Sequence, residues 1–138
     1  MNNASFAIKK PKNDPFRNYL PGSRERISLK AELEKQAAQV VEIPLIIGGR
    51  EIWTNERIKV TMPHDHHHVI AECCMAGEKE LKIAIDAALA AKDSWEAMPW
   101  EHRSAIFLKA ADMITGPYRD VLNAATMLGQ SKTVFQSE

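Results

Sequence analysis

Gly129-Gln130-Ser131-Lys132-Thr133-Val134-Phe135-Gln136-Ser137-Glu138 is the most informative stretch of this chain. Thr133 to Glu138 reads as the opening turn and a half of a helix, with Val134 and Phe135 as its first core-facing residues. No Gly or Asn cap, basic last turn or Pro stop follows. A helix that short is marginal in water without a packing partner. The expectation is therefore the front portion of a longer protein.

Working back from that stretch, the apolar period is helical. Residues 118–128 carry Val121 or Leu122, Ala125 and Leu128; residues 100–115 carry Phe107, Ala110, Ala111 and Ile114 on one stripe. Gly116-Pro117 separates the two in cap-then-stop order. From Glu78, Leu81, Ala84, Ile85, Ala88 and Trp95 predict a helix of about 16 residues, ended by Met98-Pro99. Upstream the period becomes two. Ile43-Pro44-Leu45-Ile46-Ile47, Gly48-Gly49 and Arg50-Glu51-Ile52-Trp53-Thr54 read as a hairpin, because Gly-Gly supplies the positive φ of a two-residue turn. Pro44 makes the first strand an edge strand or marks its entry. Ile58, Val60 and Met62 alternate as a half-buried strand, and Val69–Met75 is expected to be another after a loop at Pro63–His68. Before them, Ser23 reads as the N-cap of a surface helix from Arg24 to about Val41, half signalled because Arg26 stands at the capping-box position. Residues 1–23 read as a leader, and residues 24–138 are expected to be the N-terminal part of a domain, truncated at its end. The order is surface helix, hairpin and edge strands, then consecutive helices. No sheet large enough to bury all those helical stripes is expected, and they are expected to stay exposed.

Composition excludes several classes. Eighteen basic against eighteen acidic residues leave no net field for nucleic acid or an anionic membrane. No apolar run is long enough to span a bilayer, and the first dozen residues hold no signal-peptide core. The expected compartment is cytoplasmic. Adjacent Cys73 and Cys74 on a strand point to opposite faces, which suits neither a disulfide nor a chelate; both are read as small buried or half-buried hydrophobes.

The candidate sites are few. His64, Asp65, His66, His67 and His68, followed by Cys73 and Cys74, have the ligand chemistry of a zinc or copper site. Their spacing does not: ligands so close in sequence cannot wrap one tetrahedral ion. They are read as a polar loop whose histidines are solvated or cap backbone groups, with no metal. Gly48-Gly49 is not a phosphate cradle, because no helix follows it. Glu101, His102 and Arg103 are read as a solvated helix start. Trp53, Trp95, Trp100 and Phe107 are expected in the core.

Five segments, taken in order, resemble one family. They are Gly22-Ser23-Arg24-Glu25-Arg26; Ile43-Pro44 leading to Gly48 and Trp53-Thr54; Ala84-Ile85-Asp86-Ala87-Ala88-Leu89-Ala90-Ala91 with Trp95; Arg103 with Ile106-Phe107-Leu108-Lys109-Ala110-Ala111-Asp112-Met113; and Thr126 to Glu138. The chain resembles the L-glutamate γ-semialdehyde (Δ1-pyrroline-5-carboxylate) dehydrogenases of the aldehyde dehydrogenase superfamily over nearly all of residues 16–138. Arg24 stands where that family's Gly-Ser-Pro-Glu-Arg has proline. The resemblance implies the N-terminal portion of an aldehyde dehydrogenase-like α/β fold, with its helices flanking an incomplete cofactor domain.

It also implies an NAD-dependent oxidation of glutamate semialdehyde to glutamate in proline catabolism, by a cysteine nucleophile and a glutamate-activated water. The resemblance places those catalytic residues and the main NAD-binding strands after position 138, and neither Cys73 nor Cys74 matches the nucleophile. It thus implies no catalytic and no cofactor-binding residue in this chain, and an inactive isolated chain. Glu138 alone carries over, as a substrate-binding glutamate. The implied partners are a small-molecule substrate and, at full length, further copies of the subunit. The alternative is a non-enzymatic partner-binding module, or a decayed gene product, derived from that enzyme.

Overall fold

The computed structural model describes Lys10 and residues 12–138. The leader's residues 1–9 and 11 lie outside the described residues.

Helix α1 spans Arg24–Ala37, with Ser23 Oγ accepting the Arg26 N–H at 3.3 Å. It stops short of the expected Val41. Val41–Ile43 instead forms strand β1, since β-branched neighbours resist a helix and fit a pleated edge. Pro44, without an N–H, separates β1 from β2 (Leu45–Ile47). Strand β3 (Arg50–Ile52) pairs antiparallel with β2 around Gly48 (φ 58°) and Gly49 (φ 76°). Two successive positive φ angles give the turn whose twist matches a hairpin, as expected from the sequence.

Strand β4 (Arg57–Met62) runs antiparallel to β5 (Asp65–Cys74), with Met62 opposite Asp65 across a turn at Pro63-His64. The loop expected at Pro63–His68 is therefore mostly strand. A two-residue turn suffices to reverse the chain, and nothing between Asp65 and His68 breaks a strand, so the ladder runs to its end. Strand β1 adds parallel to β5, giving the order β1-β5-β4, while β2 and β3 form a separate ribbon. The cysteines behave as read: Cys74 is buried, Cys73 half-buried, and both are free.

Helix α2 (Glu78–Ala97) opens with the Glu80 carboxylate accepting the Gly77 N–H at 2.9 Å and runs longer than expected, to the Met98-Pro99 break. Helices α3 (Trp100–Thr115), α4 (Arg119–Gln130) and the single turn α5 (Val134–Ser137) follow.

Burial is uneven. The main core lies between α1 and α4, where Tyr19, Leu29 and Ala124 are buried and Leu33, Met127 and Val134 pack beside them. The surface helix thus buries Leu29 at 3% exposure and anchors the fold. Neither α2 nor α3 buries a residue, and their stripes remain exposed as expected: Leu81, Ile85, Leu89 and Ile114 are all open. The aromatic expectation fails for the same reason. Trp53, Trp95, Trp100 and Phe107 are exposed, with Phe107 at 67%. An aromatic residue is buried only where a second layer covers it. Trp95 and Phe107 meet each other edge-on at 6.4 Å, and Trp53 lies under the Arg57 guanidinium at 5.6 Å.

Candidate substrate-pocket site

One polar cluster stands out, and three separate segments build it. Helix α4 presents Arg119 and Asn123, four residues apart and so on one face. Ser131, in the left-handed region at φ 52°, ends α4 and turns the chain; its hydroxyl meets His64 Nδ1 at 2.7 Å. Thr133 then starts α5 as a capping box, the Gln136 side chain accepting the Thr133 N–H at 2.9 Å, and α5 delivers Glu138. The segment before α1 supplies Asp14, Pro15, Arg17 and Tyr19.

The Glu138 side chain is fully buried, at 0% exposure, and is held from all sides. Its Oε1 accepts the Arg17 N–H at 3.1 Å and an N–H of Arg119 Nη2. Its Oε2 accepts the Tyr19 hydroxyl at 2.7 Å, Asn123 Nδ2 at 2.8 Å and Arg119 Nε at 3.2 Å. A carboxylate offers about four lone-pair directions, so five donors saturate it. Arg119 grips it as a two-pronged fork and also donates to Asp14 Oδ2 and the Pro15 carbonyl. Asn123 Nδ2 donates to the Tyr19 oxygen as well, at 3.1 Å.

The electrostatics follow from that geometry. Burial by itself pushes the Glu138 carboxyl up, but the bonds from Arg119, Tyr19, Asn123 and the Arg17 N–H together outweigh it and bring its pKa down to about 2. Tyr19 is raised to about 12, by burial first and then by its bond to the Glu138 carboxylate. Arg119 is raised by its bond to Glu138. A saturated carboxylate with so low a pKa is a poor proton acceptor, and general-base chemistry falls outside what this cluster does.

A cleft of about 420 Å³ opens beside it, its wall including Asn13, Asp14, Ile114, Arg119, Leu122 and Glu138. Asp14 is the open group there, at 44% side-chain exposure, while Arg119 is at 11%. Two carboxylates face one guanidinium, leaving one net negative charge toward a visitor.

The other sequence candidates lie elsewhere. Cys74 accepts the Thr54 N–H at 3.4 Å and lines no part of the cleft. Among the described residues no group of three His, Cys, Asp or Glu side chains is arranged to hold a metal. His66 and His67 are exposed on β5, and His68 Nε2 meets the Ala37 carbonyl at the end of α1, at 2.7 Å. Glu101, His102 and Arg103 lie outside the cleft wall. The paired glycines join two strands, so they aim no helix N-terminus at a pyrophosphate. Sequence reasoning missed Tyr19, Arg119 and Asn123. The only signal was the spacing of Arg119 and Asn123 on one helix face.

Residues 52–138 match the sequence profile described as the aldehyde dehydrogenase family. This chain belongs to the aldehyde dehydrogenase family. Relatives within it include the Delta-1-pyrroline-5-carboxylate dehydrogenase of Agaricus bisporus, 46% identical over 98% of this chain and 25% of the relative. The mitochondrial Delta-1-pyrroline-5-carboxylate dehydrogenase of Mus musculus is 42% identical over 91% of this chain and 22% of the relative. Among solved structures, the Delta-pyrroline-5-carboxylate dehydrogenase from Mycobacterium tuberculosis bound with NAD is 41% identical, with a TM-score of 0.95 over 99% of this chain and 26% of that one. The chain spans about a quarter of the length of the relatives it matches. Its mixed α/β arrangement is the N-terminal part of the aldehyde dehydrogenase fold, as the resemblance implied. No helix among the described residues is long and apolar enough to cross a membrane.

Proposed function

We propose that this chain forms the N-terminal part of an NAD-dependent dehydrogenase that oxidises L-glutamate γ-semialdehyde to glutamate. The observation that carries the reading is agreement at two levels. The relatives named for this reaction share 40–46% of its residues, and the backbone superposes at a TM-score of 0.95 on an enzyme whose structure holds NAD. In this reading the oxidation is linked to NAD reduction, and the described residues contribute walls and packing rather than the cofactor cradle or the nucleophile. Glu138 belongs to the substrate-binding part, at a cleft whose net negative charge suits the ammonium group of the semialdehyde. The whole enzyme would assemble from several copies and act in the cytoplasm; the word "mitochondrial" in the mouse relative's name makes subcellular fractionation the check on that compartment.

The test is a graft: this chain replaces the matching quarter of the Mycobacterium tuberculosis enzyme. Semialdehyde-dependent NADH formation by the graft, and none by the 138-residue chain alone, is the expected result. A folded graft that binds NAD and leaves the semialdehyde untouched would refute the reading.

A further inference from the structure

Glu138 sits in the cleft wall, yet its side chain is 0% exposed and its oxygens are saturated by five donors. A substrate ammonium could bond it only by displacing one of those donors. Arg119 and Asp14, bonded to each other, are the charged side chains that the same cleft leaves partly open. Tyr19 adds a second sign of purpose. It holds a positive φ of 49°, a strained conformation for a bulky residue that persists only where its surroundings over-determine it. Here the ring is buried beside Leu29 and Ala124, and the hydroxyl is spent on Glu138.

We propose that Glu138 is a positioning residue: its carboxylate fixes the Arg119 guanidinium and the Asp14–Tyr19 segment as one wall of the cleft, and a substrate meets that wall rather than the carboxylate. The inference rests on reading the cleft as part of the substrate site. The charged groups facing Glu138 are Arg119 from α4 and, through Arg119, Asp14 from the leading segment; Tyr19 is the remaining titratable neighbour.

Two measurements separate the proposal from its alternatives. In the full chain, the side-chain carboxyl carbon of Glu138 is titrated by NMR, assigned with Glu138→Gln. The midpoint is expected at about 2, rising by roughly 1–3 units in Arg119→Met and by less in Tyr19→Phe, with Arg119→Lys restoring part of the shift. A midpoint that none of these variants moves overturns the proposal. In the graft, KM for the semialdehyde is expected to rise roughly tenfold in Glu138→Gln and in Arg119→Met alike, with kcat changing less. A rise confined to Glu138→Gln would mean that the carboxylate touches the substrate, and would also overturn the proposal. If the graft with native residues is inactive while the titration shifts as expected, the clasp stands and the assigned reaction fails.

Discussion

The Tyr19 hydroxyl donates to Glu138 Oε2 at 2.7 Å, across a sequence separation of 119 residues. Through this bond and those of Arg119 and Asn123, a leading segment without regular structure becomes part of the packed fold. It ties the leading segment to the last residue of the described chain.

The first consequence is acid sensitivity. Glu138 has a folded pKa of about 2 against an ordinary 4.5. A depressed carboxylate contributes stability that is fully present above its unfolded pKa and lost as pH falls through the folded one. The shift corresponds to on the order of 3 kcal/mol. Thermal midpoints followed down from pH 5 should fall more steeply for the native chain than for Glu138→Gln. Parallel curves would contradict the depressed pKa.

The core between α1 and α4 yields the second. Leu29 is 3% exposed and lies beside Tyr19 and Ala124. Leu29→Ala should cost about 2–5 kcal/mol, by lost transfer energy and the cavity left behind. Ile27→Ala, at a residue 62% exposed on the same helix, should cost far less. Urea denaturation of the two variants checks the contrast.

The hairpin turn offers a cleaner backbone test. Cβ atoms built at Gly48 and Gly49 meet nothing closer than Ala87 Cβ at 3.5 Å, an ordinary contact. Alanine at either position should therefore cost about 1–2 kcal/mol through positive φ alone, and the two costs should match. A much larger loss at Gly48 would show that α2 packs more tightly on the turn than its geometry indicates.

Exposed stripes on α2 and α3 give the fourth. With Leu81, Ile85, Leu89 and Phe107 open to solvent, the 138-residue chain should bind an apolar dye and self-associate as its concentration rises. Sedimentation as a monomer that leaves the dye unbound would be inconsistent with these faces.

Much of this fold was legible in the sequence because local chemistry decides it. Gly48-Gly49 fixed the hairpin, Ser23 capped α1, and Met98-Pro99 and Gly116-Pro117 separated the helices. What was missed depended on partners distant in sequence. The histidine run gave no sign that β4 would recruit it into a ladder. Val41–Ile43 is too short to announce a parallel pairing with β5. The tryptophans were assigned to a core by their type alone, whereas burial is a property of what covers them. Of the polar cluster, the sequence pointed only to Glu138, and through resemblance. Tyr19, Arg119 and Asn123 converge on it from far along the chain, and no period in the sequence encodes that meeting.

Native-state hydrogen exchange at the Arg17 amide tests the docking of the leading segment most directly. That N–H donates to Glu138 Oε1 at 3.1 Å, outside any helix or strand. If Glu138 clasps the segment, the amide exchanges slowly in the native chain and roughly tenfold or more faster in Glu138→Gln. Exchange at the free-peptide rate in the native chain would contradict the clasp.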